Sequence, residues 1–585
     1  MSGQLDNMSS IEGDMLSAET TLDHGDLKSN GDSTRESDTS VKPPPTTTDS
    51  SSEPVKTQVI IIGGGFSGIT AMHRLRLQGL SYKTFEQAPE LGGTWYWNRY
   101  PGARVDSEAP FYQLNIPEVY KDFNFKERFS DHVELRRYMR HIDSVLGLSK
   151  DVYFNERVVS STWNAETNEW TVKSESGKVV TGKYLICASG GLHRKYTPDF
   201  EGLKDFKGQV IHSGAWPEDA SMKGKKVGLI GAGATAVQIT QEVGKVAESL
   251  TVFLRRPSYC LPMVQRDWGS KNESWKTYYT SLFKEGRNSG SGFPGEAPKR
   301  SIHDVPEEER ERYFNDLWTR GGFNYLLGQY PDVVADPKAN MIAYDFWRRK
   351  VLARLTDPKK SAIMAPEKPP YYIMTKRTPL EQDYYEILNQ PNVELVDLNA
   401  TPLKTFTEKG MLMSDDKLHE MDVLVLATGF DSITGSLTNM GLKSKDGVDL
   451  KDLWKDGVFT YLGLTVAGFP NMFMAFSPQS PIPLSNGTTI IECQIETIMS
   501  MIEKLEKENA KTIEATHESE VKWKELCAEM AKPSLFPFTS SWWDGGNIPG
   551  KKAEGMMYVG GVQLYESQCR ETLDGWKGFQ VVPAV

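Results

Sequence analysis

Three apolar runs along this chain stop abruptly at glycine-bearing turns. Val59, Ile60, Ile61 and Ile62 run into Gly63-Gly64-Gly65-Phe66-Ser67-Gly68, with Ile69-Thr70-Ala71-Met72 beyond. Lys226-Val227-Gly228-Leu229-Ile230 runs into Gly231-Ala232-Gly233-Ala234-Thr235-Ala236, with Val237, Ile239 and Thr240 following. Val423 to Leu426 ends in Ala427-Thr428-Gly429. A short unbroken apolar run bounded by glycine predicts a strand buried on both faces, and the helical spacing behind the first two runs predicts strand, tight turn, helix twice over. Further strands are predicted over 82–85 and 250–254. The expected fold class is α/β, with two Rossmann-like dinucleotide-binding domains.

Each turn carries its own chemistry. In the first, Gly63 makes the tight turn, Gly65 lets the backbone approach a pyrophosphate, and Gly68 lets the helix pack on the strand, with the helix N-terminus toward the phosphates. The strand over 82–85 ends at Glu86, whose carboxylate suits ribose hydroxyls and would repel a 2′-phosphate, so FAD fits this turn. In the second turn, Gly231 and Gly233 repeat the pattern and Ala236 replaces the third glycine, a packing position that tolerates a methyl group. The strand over 250–254 ends in Arg255-Arg256, two guanidiniums that would attract a 2′-phosphate, which points to NADPH. A glycine turn or an arginine pair alone is weak, since the first is often only a turn and the second only a solvated pair; strand, helix and charge together give the meaning.

Composition narrows the class without naming it. The 585 residues exceed one ordinary core, and 67 Lys and Arg against 78 Asp and Glu leave a net charge of −11, which offers no basic field for nucleic acid or anionic lipid. Cys187, Cys260, Cys493, Cys527 and Cys569 are scattered without metal-like spacing, so no metal site is expected and reduced thiols are. No stretch approaches the roughly 18 apolar residues of a membrane span, and the default expectation is cytoplasmic. Residues 1–54 are polar and read as a disordered tail. The expected division is a first FAD part over 55–190, an NADP domain over 191–389 with a helical insertion near 265–365, and a second FAD part with a C-terminal mobile loop over 390–585. Nothing in the sequence speaks to oligomeric state.

Between the two turns stand Phe206, Gly208, His212, Trp216 and Pro217, spaced F-x-G-x-x-x-H-x-x-x-W-P. Behind the first turn lies Gly92-Gly93-Thr94-Trp95, continuing through Tyr100-Pro101-Gly102 to Asp106, and further on Thr375-Lys376-Arg377 follows an aromatic run. The chain from about Lys56 onward resembles the type I Baeyer–Villiger monooxygenases, flavoenzymes that use NADPH and oxygen to insert an oxygen atom beside a ketone. The resemblance implies that Thr94, Trp95, Asp106, Tyr112 and Val158 contact the flavin and that Lys376 contacts the nicotinamide nucleotide. It implies that Arg377 stabilises the anionic species of oxygen transfer, oriented by Asp106. Loop 478–486 would line the pocket, and Trp542, in a glycine-rich loop, would close over NADP. His212 invites a general-base role, but a connector histidine is more often hydrogen-bonded structure, so it and Trp216 are read as conformational residues.

The implied reaction consumes NADPH and O2 and converts a small-molecule ketone, expected to be a secondary metabolite, to an ester or lactone. One rival is the flavin-containing monooxygenases that oxidise amines and sulfides, whose connector commonly carries Tyr in place of Trp216 without the following Pro. A rival of another class is a catalytically silent FAD-binding protein acting through partners, which the intact Arg377 and Asp106 disfavour.

Overall fold

A computed structural model describes residues 54–269, 271–295, 297–482 and 484–584. The expected N-terminal tail, apart from Pro54, and Pro483 of the expected pocket loop lie outside the described residues. Two separate sheets carry the two glycine turns. In the first, β1 (Val55–Ile62) lies parallel to β2 (Tyr82–Phe85) on one side and to β6 (Val179–Cys187) on the other. β3 (Val152–Tyr153) extends the β2 side; β5 (Glu169–Ser174) and β4 (Val158–Asn164) extend the β6 side as antiparallel strands. β12 (Met472–Met474) returns from far along the chain to pair with β6.

The second sheet is wholly parallel, in the order β10 (Val393–Asp397), β9 (Ser249–Leu254), β8 (Lys226–Ile230), β11 (Val423–Leu426), β7 (Gln209–His212). Parallel strands covered on both faces need continuous apolar runs, which β8 and β11 supply. This corrects the expected boundary at 390. β10 and β11 complete the second sheet, so the NADP unit extends through Leu426, and only later does the chain return to the first sheet. The stretch bearing Phe206 and His212 is likewise more than a connector, because β7 forms an edge of the second sheet.

Helix α1 (Phe66–Leu77) follows the first turn and α2 (Ala234–Val243) the second. The insertion contributes α3 (Tyr279–Arg287), α4 (Glu307–Arg320) and α5 (Pro337–Leu352). Asp336 caps α5 by accepting from the Lys338 and Ala339 N–H groups at 3.2 Å each, and Pro337 opens it. Phe314, Tyr325, Tyr344, Phe346 and Trp347 are fully buried in the same core as the second sheet, which makes the insertion part of that unit. Helix α6 (Gly487–Lys507) packs against α1, and α7 (Gly561–Thr572) packs against α6. Among the described residues no helix is long and apolar enough to cross a membrane, and no group of three or more His, Cys, Asp or Glu is placed to hold a metal ion.

Gly208 shows why the signature tolerates no side chain at its second position. A Cβ there would lie 2.5 Å from the Asp422 carbonyl oxygen and 2.3 Å from the Phe206 ring. Gly208→Ala is expected to destabilise the fold by about 1–3 kcal/mol through overpacking. Thermal unfolding followed by tryptophan fluorescence measures this; an unchanged midpoint would mean that Phe206 and β11 yield freely.

Candidate functional site

The first turn is built by backbone contact. Gly63 adopts φ +112, and a Cβ on it would lie 2.3 Å from the Ala188 carbonyl oxygen; one on Gly68 would lie 1.9 Å from the Gly63 carbonyl oxygen. A Cβ on Gly65 would come within 3.3 Å of the Gly93 Cα, so the two glycine segments face each other across a narrow cradle. Glu86 is buried beside it and accepts from the Gly64 N–H at 2.5 Å and the Ala88 N–H at 2.7 Å. Burial pushes its carboxyl above the usual range, and these N–H groups oppose the shift by favouring the charged form. Its lone pairs not used by the backbone suit ribose hydroxyls. Val158 is buried at the start of β4, two residues beyond Glu156, whose N–H donates to the Glu86 carbonyl.

The segment behind the turn forms an aromatic wall. Thr94 and Trp95 open a short helix, and the Trp95 Nε1–H donates to the Tyr112 hydroxyl at 3.0 Å. Tyr112 also packs edge-on against Phe66 at the start of α1, with ring centroids 5.2 Å apart. The same segment then crosses to the other nucleotide unit. Tyr100 donates its hydroxyl proton to Gln238 on α2 at 2.9 Å, and Gln238 Nε2 donates to the Arg104 carbonyl at 3.1 Å. Gly102 approaches α2 so closely that a Cβ would lie 2.7 Å from the Gln238 carbonyl oxygen.

This docking brings Asp106 to Arg377. Arg377 Nε lies 3.7 Å from Asp106 Oδ2, and the guanidinium sits over the Phe323 ring with Cζ 4.7 Å from its centroid. Burial raises the Asp106 carboxyl above its ordinary pKa, and Arg377 works against that shift. The backbone that presents Arg377 is held from the insertion. Asn340 on α5, fully buried, donates to the Ile373 carbonyl at 2.9 Å and accepts the Ile373 N–H at 3.1 Å. Met374 adopts φ +67, a left-handed conformation that costs a residue with a Cβ about 1 kcal/mol or more and persists only where surroundings impose it.

The second turn gathers cations. Gly231 adopts φ +139 against the Ala427 carbonyl, Gly233 leaves open space where a Cβ would stand, and Ala236 is buried against β8. Arg255 and Arg256 are exposed after β9, and Lys376 lies near both, its ammonium 4.3 Å from the Tyr371 ring centroid. Burial first, then Arg256 and Arg255, lower the Lys376 pKa to about 8, with Asp544 opposing. Three converging cations with one opposing carboxylate favour an anion such as a phosphate.

The signature residues act through backbone. His212 Nδ1 accepts the Gly214 N–H at 3.0 Å, so in the neutral ring the proton sits on Nε2, which donates to the Gly429 carbonyl at 3.2 Å. Burial lowers the His212 pKa and favours that neutral form. Phe206 and Trp216 are buried, Pro217 follows, and Glu218 pairs with Arg99 of the flavin segment. The C-terminal strap touches both halves of the cleft. Thr375 donates its hydroxyl proton to Thr539 at 2.7 Å, Asn547 donates to the Phe430 carbonyl at 2.8 Å, and Lys551 pairs with Asp431 at 2.8 Å. Trp542 is half-buried against Trp543, which is itself core. Sequence reasoning placed Tyr100 in a motif without its tie to Gln238 and missed Gln238, Phe323, Asn340 and Thr539; each acts across a long sequence separation, and no local pattern marks these four.

The profile of the flavin-binding monooxygenase-like family matches residues 56–285. A FAD-binding monooxygenase of Aspergillus aculeatus, acrE, is 40% identical over 91% of this chain and 90% of its own length. The cyclopentanone 1,2-monooxygenase of a Comamonas species is 39% identical over 90% of this chain and 96% of its own. The crystal structure of cyclohexanone monooxygenase from Rhodococcus sp. Phi1 bound to NADP+ superposes with a TM-score of 0.88 at 34% identity, covering 91% of this chain and all of that one. With two glycine turns on two sheets, an Asp106–Arg377 pair where they meet, and these relatives along nearly its whole length, the chain belongs to the Baeyer–Villiger monooxygenase family of flavin-binding monooxygenases.

Proposed function

We propose that this protein inserts one oxygen atom of O2 beside a ketone carbonyl, giving an ester or lactone, with FAD at the first turn and NADPH at the second. The observation that carries the reading is the Asp106–Arg377 pair at the seam between the two turns. The fit to FAD rests on the cradle between Gly65 and Gly93, which any side chain would fill, and on the buried Glu86. The fit to NADPH rests on Arg255, Arg256 and Lys376.

FAD, when bound and reduced by NADPH, would supply the activation of O2, and the transferred atom comes from O2. The chain supplies a fixed cation. Arg377 faces the seam from the NADP unit, and stacking on Phe323 together with Asp106 orients its guanidinium before negative charge develops, so little reorganisation is needed when it does. Lys376, Arg255 and Arg256 hold the 2′-phosphate, and the strap from Thr539 to Lys551 keeps water from the cleft by bridging Thr375 and Asp431. His212 moves no proton in this scheme. Its tautomer is consumed in joining β7 to the Gly429 turn.

Gly65→Leu is expected to yield folded protein with little flavin, because the side chain occupies the pyrophosphate path. The flavin absorbance per polypeptide reads this directly, and full occupancy would remove FAD from this turn.

Arg255→Ala should lower kcat/KM for NADPH by about 1.5–3 kcal/mol equivalent while changing NADH little. Lys376 adds a pH signature. Below its pKa of about 8 it carries the charge that attracts the phosphate, and above that it does not. The NADPH-over-NADH preference in kcat/KM, which reports the free enzyme, should therefore shrink as pH rises through this region, and Lys376→Met should show a smaller, flat preference. A preference that rises with pH would contradict the assignment.

Arg377→Ala should retain FAD but lose ester formation by about two orders of magnitude or more, with the residual NADPH consumption appearing as hydrogen peroxide. Arg377→Lys, which keeps charge without the planar fork, should recover part of it. Product analysis with labelled O2 and a ketone panel decides the matter. Near-normal ester yield from the alanine variant would sink the role of Arg377, and sulfoxide or amine oxide without any ester would sink the ketone reading.

A further inference from the structure

Away from both turns, a cavity of about 220 Å³ lies between α3, the first turns of α6 and the segment 113–115. At about 30 Å³ per water its volume matches roughly seven water molecules. A wider cleft of about 500 Å³ adjoins it, and Lys284 and Arg287 stand in the walls of both. Neither Asp106, Arg377 nor any residue of the glycine turns lines the cavity.

Gln113, in the wall, is 2% exposed, and neither its Nε2 nor its Oε1 has a hydrogen-bond partner among the described residues. The Tyr279 hydroxyl flanks this amide. Leaving a buried amide unmatched is costly, and a bound partner would relieve that cost.

The charges around the cavity favour an anion. Arg287 is held by Glu496 at 2.5 Å and by both oxygens of Glu566 at 2.9 and 3.0 Å, while Arg74 also pairs with Glu496 and Arg570 with Glu566. Lys284 makes no ion pair with a described residue, so its ammonium is in surplus at the mouth. The uncapped N-terminal turn of α6 adds the positive end of a helix of 21 residues, with Thr488 and Thr489 in the wall. Glu492 accepts the Asn115 N–H at 2.6 Å, and burial together with Glu496 raises its carboxyl to about 7, against that N–H, Arg287 and Arg74.

We propose that this cavity is a second ligand site for a short-chain organic monocarboxylate, whose head group meets Lys284, the Thr280 hydroxyl and the Gln113 amide and whose tail lies on Phe283. The apolar ring of Phe283 favours an organic acid over an inorganic anion. Protonated Glu492 donates to the bound carboxylate, and ionised Glu492 repels it. Glu496, Arg287, Arg74 and the Tyr138 hydroxyl face Glu492, with Lys284 in the same wall, and binding tightens as pH falls through about 7 and Glu492 takes up its proton.

Calorimetric titration of the FAD-loaded enzyme with butanoate tests this and does not depend on turnover. Saturable binding is expected, weakened about tenfold or more in Lys284→Met, a surface variant that leaves the core untouched, and in Gln113→Leu. The pH dependence should flatten in Glu492→Gln. Absence of saturable binding, equal binding by both variants, or equally tight binding of butanamide or inorganic phosphate would overturn the proposal. So would displacement of butanoate by cyclopentanone, which would make the cavity part of the ketone's own path.

Discussion

The docking of the segment from Tyr100 to Asp106 onto α2 is the contact on which the site depends. It belongs to the first sheet's unit by sequence, yet its glycine packs on the helix behind the second turn, and Gln238 ties its backbone there. That contact sets Asp106 against Arg377, which comes from the other unit, and Arg128 and Phe129 reinforce it through Arg320 and Gln265. The tie is made of close backbone approach and hydrogen bonds to neutral side chains, and interactions of that kind hold a geometry without burying further charge.

A second constraint comes from the insertion. Asn340 pairs its amide with both backbone groups of Ile373 while also donating to the Val333 carbonyl, and Phe323 offers its ring to the Arg377 guanidinium. The strained turn at Met374 is imposed by these neighbours. The insertion is thus a scaffold for the Arg377 guanidinium, fully continuous with the core of the second sheet.

Electrostatics divides the seam by function. At the second turn, burial first and then the charges of Arg256 and Arg255 lower the Lys376 pKa to about 8. On the flavin side the carboxyls of Glu86 and Asp106 are both raised by burial and both stabilised by donors, backbone N–H groups for one and a guanidinium for the other. The two turns thus present opposite charge preferences, acidic beside the first and basic beside the second.

The two strand–turn–helix units were legible in the sequence because their causes are local. Apolar runs ended by Gly63 and Gly231 have few other folded solutions, and Glu86 against Arg255-Arg256 follows directly at the ends of β2 and β9. Arg377 was singled out only through the family resemblance of Thr375-Lys376-Arg377, since a Lys-Arg pair has no local meaning. The tertiary structure alone decided that β10 and β11 complete the second sheet, that β7 is an edge strand, and that Asn340, Phe323 and Gln238 hold the segments that bring Arg377 and Asp106 together. An apolar strand such as Val423–Leu426 suits either parallel sheet equally well, and a contact spanning more than thirty residues, such as Asn340 to Ile373, leaves no periodic trace in the sequence.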